Sequence, residues 1–317
     1  MNSRHLVDPA LLALLDLLPS TPLTSESLAT NRARTAAMVA SMPVRESPNL
    51  TIRERYVPGP AGAPDVRIFL YQPAQPAQPT AGILWLHGGG YVGGNVELED
   101  VRARALAAEL GCVLVSVDYR LAPEATFPGP LEDCYAVLSW LYANAAELGV
   151  DSGRLAVGGG SAGGGLAAAL ALLARDRGEI PLAFQLLIAA MLDDRTAARD
   201  TPHPYTGEFI WTRESNRFAW AALLGQEPGS SGVSAYAAAA RAENVANLPP
   251  AFIAVGALDL FLEENMEYAR RLLYAGVPTE LHVYPGAYHG FQMVPAAWMT
   301  QAAARDQVSA ARRALKL

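Results

Sequence analysis

Cysteine is scarce in this chain: there are two in 317 residues, Cys112 and Cys134. So few thiols argue against a disulfide-stapled scaffold, and two buried reduced thiols are expected. No cysteine–histidine spacing suggests a metal site, and no cofactor is expected. Basic clusters are lacking too. Lys and Arg number 24 against 31 Asp and Glu, for a net charge of −7. With no marked Lys/Arg patch, neither nucleic acid nor an anionic membrane is an expected partner. Long apolar runs are also missing. The leucine-rich stretch from Leu11 to Leu18 contains Asp16 and is too short to span a bilayer. Asp8 and Asp16 fit a secretory signal poorly, and no clear small-x-small cleavage site follows. An amphipathic helix packed on the core is the simpler reading. A soluble, cytoplasmic protein without stable membrane association is expected.

What the chain has is apolar mass. Hydrophobic residues make up 51%, ample for a sizeable core. Length alone allows two domains or one embellished core. Strand-like runs occur at Ile83–Leu86, Cys112–Asp118, Leu155–Gly158, Phe184–Ala190, Phe252–Gly256 and Glu280–Tyr284. They read as nearly continuous apolar runs, as strands buried on both faces do. Helical patterns lie around them, at about 99–110, 131–148, 162–177, 263–275 and 296–315. Such alternation predicts an α/β fold with a mostly parallel central sheet covered by helices on both faces. Residues 72–80 repeat Pro, Ala and Gln and read as a surface loop.

Two segments stand outside the alternation. Residues 1–50 are helix-like and punctuated by prolines. Residues 194–247 are far longer than a crossover needs and carry Tyr205, Phe209, Trp211, Phe218, Trp220 and Tyr236. An insertion this long in a compact fold is usually functional. The expected organisation is N-terminal cap helices over 1–50, a catalytic core over 51–193, a cap insertion over 194–247, and the rest of the core over 248–317.

Gly159-Gly160-Ser161-Ala162-Gly163 matches G-x-S-x-G, between an apolar run and an Ala/Leu-rich helical pattern. A serine on such a turn is held in a strained conformation with its hydroxyl clear of the sheet. Earlier, His87-Gly88-Gly89-Gly90 follows a strand. Consecutive glycines leave backbone N–H groups free to face a developing oxyanion, and the N–H of Ala162 can add a further donor.

A nucleophilic serine needs a base, and the base needs an orienting acid. There are only five histidines. His5 lies in the N-terminal extension, His87 in the glycine loop and His203 between prolines in the insertion. His282 is mid-strand. His289 lies just past the last strand, where catalytic groups of open α/β sheets collect. For the acid, Asp259 follows the strand Phe252–Gly256, while Asp193 and Asp194 follow the preceding strand and rank second.

These residues together resemble the hormone-sensitive-lipase-like esterases, the bacterial family IV carboxylesterases of the α/β-hydrolase fold. The resemblance runs from about residue 55 to the C-terminus. It includes His87–Gly90, Asp118 to Glu124 with Phe127, Pro128 and Asp133, Gly159–Gly164, Asp259 and Tyr288–Phe291. It implies Ser161 as nucleophile, His289 as base and Asp259 as acid. It also implies Gly88, Gly89 and Ala162 as oxyanion donors, and a structural role for the Asp118–Glu124 stretch. Two departures stand out. The family usually has Asp or Thr where this chain has Gly160, and Pro-Leu where Leu260-Phe261 follow Asp259. Phe209, Trp211 and Leu260 are the candidate substrate-binding residues. The partner is a small-molecule ester of short to medium acyl length, and the resemblance implies a homodimer through about 280–284 and 296–315. An amidase or arylformamidase and a non-catalytic receptor of the same fold are the alternatives.

Overall fold

The computed structural model describes residues 2–18, 21–42, 47–75 and 79–317. Its strands are β1 Leu50–Val57, β2 Val66–Pro73, β3 Thr80–Leu86, β4 Val113–Asp118, β5 Val150–Gly160, β6 Phe184–Ile188, β7 Ala251–Gly256 and β8 Thr279–Tyr284. Its α-helices are α1 Pro9–Leu17, α2 Ser25–Ser41, α3 Val96–Leu110, α4 Gly129–Ala143, α5 Ala162–Arg177, α6 Arg213–Leu224, α7 Leu262–Tyr274 and α8 Trp298–Leu315. The strands form one sheet in the order β1-β2-β4-β3-β5-β6-β7-β8. β2 runs antiparallel to both its neighbours, and every other pair is parallel. This is the α/β-hydrolase architecture.

The two-residue period of the strands splits the core in two. Along β3, Leu84 and Leu86 enter one apolar cluster while Ile83 and Trp85 enter the other. β7 divides in the same way, with Ile253 on one face and Phe252 and Ala254 on the other. Leu138 of α4, Leu170 of α5 and Leu272 of α7 cover the first face. Leu106 of α3 and Ala311 of α8 cover the second. Each fully buried leucine or phenylalanine contributes about 1.5–3 kcal/mol relative to exposure. Both cysteines are free and buried, and burial pushes the Cys112 thiol up to about 12.

Three sequence expectations need correction. β1 and β2 have no counterpart among the six expected strands. Both lie at one side of the sheet; Arg53, Glu54 and Arg55 break up the apolar pattern of β1, whereas β2 carries an apolar run, Ile68–Tyr71, that the six expected strands leave out. The Pro/Ala/Gln stretch 72–80 is not all loop: Gln72 and Pro73 end β2, Thr80 opens β3, and 76–78 lie outside the described residues. β8 is not buried on both faces. It is an edge strand, with Leu281 and Val283 exposed.

The N-terminal helices and the insertion lie against the core through specific bonds. Asp8 caps α1 by accepting the Ala10 N–H, and Pro9 fills the first helical position, where no N–H is needed. The Asp8 N–H donates to Gly286 O, and Tyr288 Oη donates to Leu11 O, which fastens α1 to the loop after β8. Thr24 and Ser27 form a capping box on α2. Arg32 of α2 donates to the carbonyls of Val92 and Ala122 and pairs with Glu124. Ser215 of α6 accepts from the Leu23 N–H. No helix among the described residues is long and apolar enough to cross a membrane.

Candidate active site

Ser161 directly follows β5 and stands at the N-cap position of α5, at φ 56°, ψ −122°. A non-glycine residue held in a sparsely populated backbone region costs about 1–3 kcal/mol, so the surroundings must enforce it. They do so through the main chain. The Ser161 N–H donates to Ile188 O at 2.9 Å, and its carbonyl accepts from the N–H groups of Gly165 and Met191 at 3.0 Å each. The turn excludes side chains on either side of the serine. A β-carbon on Gly159 would stand 2.5 Å from Leu86 O, and one on Gly163 only 2.0 Å from it. Gly160 has no such constraint: a β-carbon there would meet Arg102 Nη1 at 3.2 Å. The brace at this elbow is the hydrogen bonding to residues 188 and 191.

His289 lies in the loop after β8. Its Nε2 is 3.1 Å from Ser161 Oγ and its Nδ1 is 2.8 Å from Asp259 Oδ2. Asp259 is fully buried, and its other oxygen accepts the Phe261 N–H at 2.9 Å. Facing a carboxylate, Nδ1 carries the proton and leaves Nε2 as an acceptor toward the hydroxyl. Phe261 sets its ring edge against the imidazole, centroids 5.2 Å apart and planes at 90°. A hydroxyl, imidazole and carboxylate in this line can move a proton off the serine while the oxygen attacks an electrophilic carbon.

The glycine loop meets the same serine. A β-carbon on Gly88 would be 3.4 Å from Ser161 Cβ. Ala162 is the first residue of α5, so its N–H has no acceptor within the helix. His87 is buried and stacked on Tyr119, with centroids 4.1 Å apart and planes 7° apart. Burial pushes its pKa down, so it is neutral, and its Nδ1–H donates to Gly88 O at 2.8 Å. Tyr119 Oη donates to His87 O at 2.7 Å. Asp133 holds Arg120 through a bidentate pair, Oδ2 accepting from Nε and Oδ1 from Nη2. The Asp118–Glu124 stretch thus fastens the glycine loop from behind.

The other candidates are placed as follows. Asp193 pairs with Arg195 at 2.7 Å, and Asp194, fully buried, pairs with Arg241 at 2.6 Å. Among the described residues Asp259 is the one carboxylate bonded to His289. His282 faces Glu280 and Asp306 on the sheet edge, and His203 Nδ1 accepts the Tyr205 N–H. Trp211 approaches His289, with ring centroids 6.3 Å apart. Leu260 lines a cavity of about 360 Å³ together with Thr206, Gly207 and Thr212. Phe209 is buried against Tyr288.

Sequence reasoning missed Tyr91 and Asn216. Tyr91 Oη donates to Met191 O and ties the glycine loop to the segment after β6. Its place directly after the three glycines was the available signal. Asn216 accepts from Trp211 Nε1 at 3.1 Å, a pairing that spans the start of α6 and is one of many a helical register allows.

Residues 83–293 match a family described as having the α/β-hydrolase fold, and the chain belongs to that family. It is 36% identical to Esterase LipI of Mycobacterium tuberculosis over 317 residues, covering 97% of this chain and 95% of the relative. It is also 36% identical to Carboxylesterase NlhH of the same species, covering 92% of each. Among solved structures it is similar to a bacterial heroin esterase, with TM-score 0.91, 41% identity and 99% of each chain covered. The chain is a carboxylic-ester hydrolase of the hormone-sensitive-lipase-like group.

Proposed function

We propose that Ser161, His289 and Asp259 are the catalytic triad of this esterase and that its substrates are small esters of short to medium acyl length. The observation that carries the reading is the unbroken line from Ser161 Oγ through His289 to buried Asp259. His289 takes the serine proton as Oγ adds to the ester carbonyl. Asp259 keeps the imidazole in the right tautomer and stabilises the imidazolium. The N–H groups of Gly88, Gly89 and Ala162 hold the oxyanion. His289 then gives the proton to the departing alcohol, and water repeats the sequence on the acyl-enzyme. Residues 1–50 and 194–247 act as a cap over this site. In the same reading the protein is a homodimer through β8 and α8, since edge strand β8 exposes Leu281 and Val283. A monomer by light scattering would contradict the dimer.

The test is a ladder of p-nitrophenyl esters from acetate to dodecanoate, run with wild type and Ser161→Ala. Rates should peak at short chains. The variant should keep only about 10³–10⁴-fold acceleration over water, from the oxyanion donors and binding alone. Full activity in Ser161→Ala would overturn the assignment.

A further inference from the structure

The six-membered ring of Trp211 occupies the place of a side chain on Gly90. A β-carbon there would stand 2.2 Å from Trp211 Cη2 and 2.8 Å from Cζ2, and Gly90 has φ +64°. The third glycine of the His87–Gly90 loop is therefore required by the insertion as well as by its own backbone. The same indole lies 6.3 Å from the His289 ring, so it spans the gap between the glycine loop and the histidine. Its position is fixed at the other end by Asn216, which is fully buried and accepts the indole N–H at 3.1 Å. An indole nitrogen only donates, so the Asn216 carbonyl oxygen must face it. The amide nitrogen of Asn216 is then buried without a partner among the described residues. A buried amide with half its hydrogen bonding unmet is destabilising, and its one clear benefit here is the fixed indole.

We infer that Trp211 sets the upper length of the acyl chain and that Asn216 is its positioning residue. The inference rests on the proposed Ser161 site. The leaving oxygen must stay at His289 Nε2 to receive its proton, so the alcohol takes the histidine side. That leaves the acyl chain the side toward Gly90, where the Trp211 ring takes up the space a side chain would fill. Trp211 takes no part in proton transfer; it acts by exclusion.

The experiment compares kcat/KM across acyl lengths for wild type, Trp211→Ala, Trp211→Phe and Asn216→Leu, with a parallel series of acetates of lengthening alcohols. Trp211→Ala should raise octanoate relative to acetate by at least about tenfold, close to what two further buried methylenes yield. Asn216→Leu should shift the profile the same way by less, and Trp211→Phe should keep short-chain preference. The alcohol series should keep its wild-type shape. Unchanged acyl profiles in both Trp211→Ala and Asn216→Leu would overturn the inference, as would a change confined to the alcohol series or a wild type that already prefers long chains. If Trp211→Ala fails to fold, Asn216→Leu and Trp211→Phe carry the test. Loss of all turnover in Ser161→Ala with unmoved profiles would sink this inference while leaving the triad assignment standing.

Discussion

Arg102 sets its guanidinium 3.2 Å from the position a β-carbon on Gly160 would take, immediately behind the Ser161 backbone. The guanidinium is the flexible end of a partly exposed side chain, and Gly160 does not have a positive φ. A methyl group at 160 therefore needs only a small shift of Arg102. Gly160→Ala should stabilise the protein by about 0.5 kcal/mol, through reduced freedom of the unfolded chain. Gly159→Ala should destabilise by about 1–3 kcal/mol or prevent folding, since its β-carbon meets main-chain atoms that cannot yield. Urea melts of the two variants check both signs.

Asp259 and Asp194 are both fully buried carboxylates, with different work to do. Asp259→Asn should keep the fold and lower kcat by on the order of 10³–10⁴, because the imidazole tautomer is no longer enforced. Asp194→Ala leaves Arg241 without its carboxylate, and should cost about 3–5 kcal/mol. Its specific activity per folded molecule should stay near wild type. Thermal melts and initial rates on both variants separate the roles, and the reverse pattern would make Asp194 the acid.

Glu264 is buried on α7 beneath the start of the insertion. Its carboxyl accepts the Leu192 N–H at 2.7 Å and also bonds Thr196 Oγ1. Burial, reinforced by nearby Asp193, pushes its pKa well above the ordinary carboxylate range. The folded state therefore keeps a proton that the unfolded state releases first as pH rises. Stability from this group is fully present below the unfolded carboxylate pKa. It declines as pH rises from there toward the folded value. Glu264→Gln should flatten that decline, which melting temperatures of both proteins from acid to mildly basic pH would reveal. Parallel curves for the two proteins would contradict it.

Much of this molecule was legible from local pattern. β3, β6 and β7 are buried at every position and so read as nearly continuous apolar runs, with Thr80 and Gln185 as the polar exceptions. Gly159 and Gly163 are needed because a side chain at either would clash with main-chain atoms, a need that Gly160 does not share. β1 was harder to see, since its exposed positions dilute the apolar signal. Trp211 was visible as an aromatic in an insertion, but its contact with Gly90 joins residues far apart in sequence. Asn216 was invisible for a different reason: its partner Trp211 is only five residues away, but the pairing is one of many that a helical register allows and its burial depends on the packed insertion. The Asp193–Arg195 pair is local and could be anticipated, whereas Asp194–Arg241 could not.

The most direct test of the central claim is covalent labelling with a p-nitrophenyl alkylphosphonate, read by intact mass and peptide mapping. One adduct per chain on the peptide containing Ser161, absent from Ser161→Ala and strongly slowed in His289→Ala, is the result expected of an activated serine. No adduct on active wild-type enzyme, or an adduct on another residue, would contradict the assignment of Ser161 as nucleophile.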